Sequence, residues 1–271
     1  MLVNSVKDIL QILGYDIDED LQLADAVSKD ISTACQVEDN GTKETRQMVS
    51  GGVDILLSLF AVMGQKLFPR AIMTKCTNGQ VIVHNKEEIM YYFKASNYED
   101  CRINAYPALL KGEEQALNLF APNILFIDLD AKKFSSDKEL KLALKPILKN
   151  IAHMLYDCKP LVLWSGHGYH IIIPVNCKEA LEHSQQLVQY TSEPSKGFLQ
   201  FAKRLLSQNK ADPANNPSFK SCLLRVPYTF NSKCIGEGID AEVKVIQLWN
   251  SSMQLPTVDN LLADFKTFFC R

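Results

Sequence analysis

The stretch Asn123-Ile-Leu-Phe-Ile-Asp-Leu-Asp130 decides the reading of this chain. Four apolar residues in a row, with acids only at the far end, describe a buried β-strand that surfaces at its C-terminal tip. Alternate residues of a strand point to one face, so Asp128 and Asp130 present their carboxylates together. Two like charges so close repel unless a cation holds them, and magnesium or manganese prefers such hard oxygen donors. The bland alternative is a polar strand end capping the next helix, and the same Asp-x-Asp pattern also occurs in glycosyltransferases and metal hydrolases.

Downstream, Asp137 to Leu155 carries helical periodicity despite Pro146, and Pro160-Leu-Val-Leu-Trp164 is a second buried strand. Next comes Trp164-Ser165-Gly166-His167-Gly168-Tyr169-His170, running into the apolar strand Tyr169 to Pro174. Glycines on both sides of a histidine permit a tight turn whose backbone can approach an anion. Ser165, His167 and His170 add side-chain donors there. The alternatives are a plain hairpin bearing histidines or a Ser/His nucleophile pair, though the Gly-x-Ser-x-Gly elbow is missing. Residues 179–190 and 197–208 read as helices, Leu223 to Val226 and Glu242 to Trp249 as strands, and Val258 to Phe269 as a closing helix. Between them lie Lys210-Ala-Asp212-Pro213 and Ser221-Cys-Leu-Leu-Arg225-Val-Pro227-Tyr-Thr-Phe-Asn231-Ser-Lys233. From 196 to 233 the chain has seven basic residues and one acid. Arg225 and Lys233 suit phosphate, and Asp212 is a third acid, with Asp240 its competitor. Taken alone, this segment also fits a solvated basic face.

Upstream, Arg70 to Thr74 and Gln80 to His84 are strands joined through Thr77-Asn78-Gly79, where Asn-Gly marks a hairpin. Lys86 to Phe93 reads as a helix, Cys101 to Tyr106 as a strand, and 113–120 as a helix. Arg102 and Tyr106 are candidates for contacting a template, against the plainer reading of an edge strand. Residues 1–66 are expected to form a helical N-terminal region, acidic at Asp16, Asp18, Glu19, Asp20, Asp25, Asp30, Glu38 and Asp39. The remainder, 67–271, is expected to be one α+β domain, because hairpins replace regular βαβ alternation.

Bulk properties exclude several classes. The chain has 271 residues, 46% of them hydrophobic, with a formal net charge of −2. That suits a sizeable globular core, and the net charge does not announce a nucleic-acid binder. There is no apolar run long enough for a membrane span, and the first residues do not read as a secretory signal. The eight cysteines (35, 76, 101, 158, 177, 222, 234 and 270) are scattered without close-set pairs, so no structural zinc is expected. Scattered thiols suit a reducing cytoplasm.

The order of these motifs resembles the archaeo-eukaryotic primase superfamily, particularly the primase-polymerases of archaea and their plasmids. Asp128 and Asp130 correspond to its paired acids, Ser165 to His170 to its triphosphate-contacting motif, and Asp212 to its third metal-binding acid. Leu223 to Lys233 resembles the segment that follows. The likeness spans about residues 68–250 and leaves the N-terminal region unexplained. It implies an RRM-like mixed or antiparallel sheet with helices packed on it. It implies DNA primase or DNA polymerase activity with two magnesium or manganese ions held by Asp128, Asp130 and Asp212. Ser165, Gly166, His167, Gly168, His170, Arg225 and Lys233 would bind the nucleotide. The implied partners are single-stranded DNA template, nucleoside triphosphates, and a helicase or accessory primase domain, since no P-loop is present. A metal-dependent nuclease or phosphohydrolase and a silent nucleic-acid-binding subunit are the rival readings.

Overall fold

The structure, a computed structural model, describes residues 43–108, 122–176, 193–250 and 255–269. The expected helices at 113–120 and 179–190, and the acidic residues of the first forty, lie outside these. The chain divides into two compact units, 1–39 and 40–271, and all described residues belong to the second. That division falls earlier than the change of composition near residue 66. Helix α1 (Lys43–Val62) therefore belongs with the second unit.

Eight strands form two antiparallel sheets among the described residues. The first contains β1 (Arg70–Met73), β2 (Val81–Val83), β3 (Arg102–Pro107) and β7 (Leu223–Arg225), in the order β2-β1-β3-β7. The Asn-Gly hairpin is present: Ala71 faces Ile82, and Gly79 takes a φ of +128° in the connection. The second sheet contains β4 (Ile124–Asp130), β5 (Leu161–Trp164), β6 (Gly168–Pro174) and β8 (Lys244–Gln247), in the order β4-β6-β5-β8. The fold is α+β, as the hairpin-rich pattern requires. Strand β8 is shorter than the run 242–249 suggests, and it joins the free edge of β5.

Burial explains why these segments pair. Leu125, Ile127, Leu129, Leu161, Leu163, Ile171, Ile172 and Ile173 are almost fully enclosed. Helices α3 (Asp137–Met154) and α4 (Pro194–Leu206) contribute Leu140, Ala143, Ile147 and Ile151, and Phe198, Leu199 and Ala202, to the core. Ser136 caps α3 by accepting from Glu139 N, and Pro146 sits on its exposed side. Helix α2 (Lys86–Ala95) is capped the same way by Asn85. Two further helices follow, α5 (Ser232–Glu237) and α6 (Asp259–Phe269). No described helix is long and apolar enough to cross a membrane. Of the described cysteines, 101, 158, 222 and 234 are buried free thiols, while Cys76 is exposed.

Contacts between the elements set the positions of everything else. Arg70 is fully buried, with its guanidinium 3.8 Å above the Phe60 ring. It donates to the carbonyls of Leu67, Lys66 and Asn104 and to Gln65 Oε1, joining the end of α1 to the first sheet. Gly52 lets α1 lie directly on the backbone of Pro227, since a Cβ there would sit 2.2 Å from the Pro227 carbonyl oxygen. Between the sheets, the Tyr106 hydroxyl donates to the Ile124 carbonyl at 2.6 Å. Tyr106 is thus a buried strut and is not available to contact a template.

Candidate active site

Strand β4 ends where its apolar run ends, and that places the two acids. Asp128 faces His170 and Asp130 faces Gly168 across the β4–β6 ladder. The β5–β6 hairpin brings Ser165 to His167 beside them, because Ser165 N and Oγ both donate to the Gly168 carbonyl. The Ser165 hydroxyl is therefore engaged in shaping the turn. The two glycines serve different purposes. Gly166 has a φ of +91°, and a Cβ there would lie 2.5 Å from Cys234 Sγ. Gly168 is needed for close approach, since its Cβ would come within 2.0 Å of the Leu129 carbonyl oxygen.

The first sheet supplies the opposite charge. Arg102 on β3 and Arg225 on β7 are register partners. The turn after β7 leads to Asn231, whose side chain accepts from Lys233 N at the start of α5 and donates to the Ser165 carbonyl at 2.8 Å. One bond thereby joins the basic segment to the glycine turn. The result is a cavity of about 260 Å³ lined by both sheets. Asp128, Asp130, Ser165, His167, His170, Arg225 and Lys233 all line it, as their order in the sequence suggests. Asp100, Arg102, Asn231 and Ser232 line it as well.

Its electrostatics are polarised. Burial pushes the Asp128 carboxyl up to about 6, reinforced by the charges of Asp130 and Asp212 and opposed by the hydrogen bond from Asn215 Nδ2 at 3.0 Å. Burial, then the charges of Arg225 and Arg102, drives His170 down to about 3, so its ring is neutral. Its Nε2 is 3.8 Å from Asp128 Oδ1, too far for a hydrogen bond, and its buried Nδ1 has no partner among the described residues. His167 Nε2 lies 2.9 Å from Glu237 Oε2, at an angle that makes no hydrogen bond. Lys233 is half-exposed, 3.8 Å from the same glutamate.

Asp212 is beside this cavity without lining it. Its backbone N–H donates to the Asp128 carbonyl at 2.8 Å, while its Oδ1 accepts from Ala214 N. Lys203, buried in α4, ties the loop down by donating to the carbonyls of Asp212 and Asn215. Among the described residues no three His, Cys, Asp or Glu side chains already converge as a metal cage. The donors present nevertheless suit a divalent cation: Asp128 and Asp130 share a strand face, and Asp128 feels both other acids. Asp240 is elsewhere, exposed and paired with Lys244. A larger hollow of about 480 Å³ between the start of α3 and residues 209–213 contains Lys133, Glu139 and Lys210 but neither acid of β4.

Three lining residues escaped the sequence reading. Asp100 binds Arg225 Nη1 through Oδ1 at 3.0 Å, approaches Arg102 at 3.5 Å, and accepts from the Ser232 hydroxyl through Oδ2. Only the register Arg102↔Arg225 reveals why an acid belongs there. Asn231 and Ser232 carry only a weak signal, since Asn-Ser marks a helix start only where the helical run behind it can be read.

Comparison with protein-family models finds no match, and no curated protein matches the chain. Among solved structures, the crystal structure of the catalytic domain of primase RepB′ in complex with initiator DNA is similar over 80% of this chain and 94% of that one, with 14% identity and a TM-score of 0.46.

Proposed function

We propose that this chain is a template-directed nucleotidyltransferase, a DNA primase or DNA polymerase. The observation that carries the reading is the two-sided cavity, with paired carboxylates on a strand of one sheet and paired arginines on strands of the other. Nucleotide transfer needs that separation, because the acids hold cations at the reacting phosphorus while the bases hold the polyphosphate.

Asp128, Asp130 and Asp212 would hold the magnesium or manganese ions, whose chemistry is to acidify the attacking hydroxyl and to neutralise the leaving pyrophosphate. Asn215 orients Asp128 by donating to Oδ2, leaving Oδ1 toward His170. Arg225, Arg102 and Lys233 face the same space and supply positive charge for the phosphates. His170 is neutral and buried, so it acts as a hydrogen-bonding group and not as a cation. Ser165, Gly166 and Gly168 keep the turn closed against β4 and α5, which positions His167 at the cavity wall. Single-stranded DNA and nucleoside triphosphates are the substrates in this reading.

The test is incorporation of labelled nucleotides on a single-stranded template, with and without primer, in magnesium and in manganese. Asp128→Ala should lower incorporation at least about 100-fold with the fold retained, and His170→Ala should chiefly raise the KM for nucleotide. Product in the wild type that persists in Asp128→Ala would refute the assignment. Cutting of the template without triphosphate would replace it by a nuclease.

A further inference from the structure

Asp100 is an acid in the basic half of the cavity. Its position is not accidental to the local backbone. It sits at a φ of +53°, held by the bond from its N–H to the Phe230 carbonyl at 2.8 Å. From there the carboxylate reaches into the cavity, where it accepts hydrogen bonds from Arg225 and Ser232 and lies within ion-pair range of Arg102. Arg225 Nη1 is 3.0 Å from Oδ1, Arg102 Nη2 is 3.5 Å from Oδ1, and the Ser232 hydroxyl is bonded to Oδ2. The arginines come from facing positions of adjacent strands, so without an anion between them they would repel.

Two guanidinium groups and a hydroxyl converging on one point form a donor set that matches a phosphate group. A carboxylate uses it with two oxygens, where a phosphate offers three or more. We propose that Asp100 is a resident anion occupying a phosphate-binding site, and that a phosphate group of the substrate displaces it from Arg102, Arg225 and Ser232. The inference rests on the functional reading above only for the identity of that substrate. Asp100 thereby acts as a competitor built into the fold: it keeps the arginines paired in the empty protein and weakens every anion that follows.

The alternative is that Asp100 stays in place and only aligns the arginines, and the two roles move affinity in opposite directions. Removing a competitor tightens phosphate binding, because two arginines left without a counterion recover it from the ligand. Removing an aligner weakens it.

The experiment is calorimetric titration of the full chain, free of metal, with inorganic pyrophosphate and separately with a short single-stranded oligonucleotide ending in 5′-hydroxyl. Asp100→Asn should bind the anion about tenfold more tightly than wild type. Asp100→Gly, which removes the carboxylate and tolerates the φ of +53° at this position, should show a similar gain and stands in if Asp100→Asn does not fold. Adding Arg225→Ala to either variant should abolish the gain. Tightening for pyrophosphate assigns the site to a triphosphate; tightening for the oligonucleotide alone assigns it to a backbone phosphodiester. Unchanged or weaker binding of both probes in the foldable variants overturns the proposal. Because this readout contains no polymerisation, an active enzyme without tightening sinks only this inference. Tightening in a chain that makes no polymer sinks only the polymerase assignment.

Discussion

Asp128 shows most clearly how one residue's chemistry is decided by its surroundings. An ordinary carboxyl loses its proton near 4, whereas this one, buried beside two other acids, holds it to about 6. The folded chain therefore binds that proton more tightly than the unfolded chain does, and stability falls as the pH rises across that interval. With both states ionised above pH 6, a shift of about two units corresponds to roughly 3 kcal/mol lost. Asp128→Asn should accordingly be the more stable protein at pH 7.5 in EDTA, with a higher Tm in thermal melts. Magnesium or manganese should raise the wild-type Tm and leave the variant's nearly unchanged. An equal or lower Tm for Asp128→Asn would show that the acid is not strained. The sequence announced this residue, because an acid at the end of an apolar run stands out. It could not announce Asp100, which with its neighbour Glu99 reads as an ordinary loop acid until β3 and β7 are known to pair.

Among the elements, the β5–β6 hairpin combines tight packing with chemistry. Gly168 lies on the backbone of β4, so Gly168→Ala forces the two strands apart at the point where Asp130 is registered. A loss of about 3 kcal/mol is expected from such overpacking against backbone, measured by urea denaturation. Asn231→Ala should cost roughly 2 to 4 kcal/mol, since it removes a helix cap and leaves the Ser165 carbonyl without its donor. A change under about 0.5 kcal/mol would mean that the turn and α5 are not coupled. Most elements were legible from periodicity and turn residues, and the ends of β4 and β6 were placed by where apolar runs stop. Strand β8 was read too long, since alternation continues past Gln247 although pairing with β5 does not. Helix α5 was not read at all, because six residues carry too little periodicity for a helical pattern to stand out.

At the scale of the whole molecule, the largest fully buried side chain among the described residues is Arg70, a charged residue. Sequence reasoning places it at the start of a strand and says nothing of its burial, because arginines are rarely enclosed unless fully paired. It is tolerated here because three carbonyls, one amide oxygen and an aromatic face surround it. Arg70→Ala would leave those acceptors empty and open a hole at the junction of α1 and the first sheet. A destabilisation of about 3 to 5 kcal/mol should appear in urea melts. Lysine should not rescue it, for it offers no planar fork.

The Tyr106–Ile124 bond joins β3 to β4, the Asn231–Ser165 bond joins the segment after β7 to the β5–β6 turn, and the Asp212–Asp128 bond ties the neighbouring loop to β4. The acids hang from one sheet and the arginines from the other, so the gap between them belongs to neither. It is a dimension of the seam. The spacing of this cleft can therefore be retuned by altering the tyrosine hydroxyl that joins β3 to β4, without touching a single residue that lines the cavity.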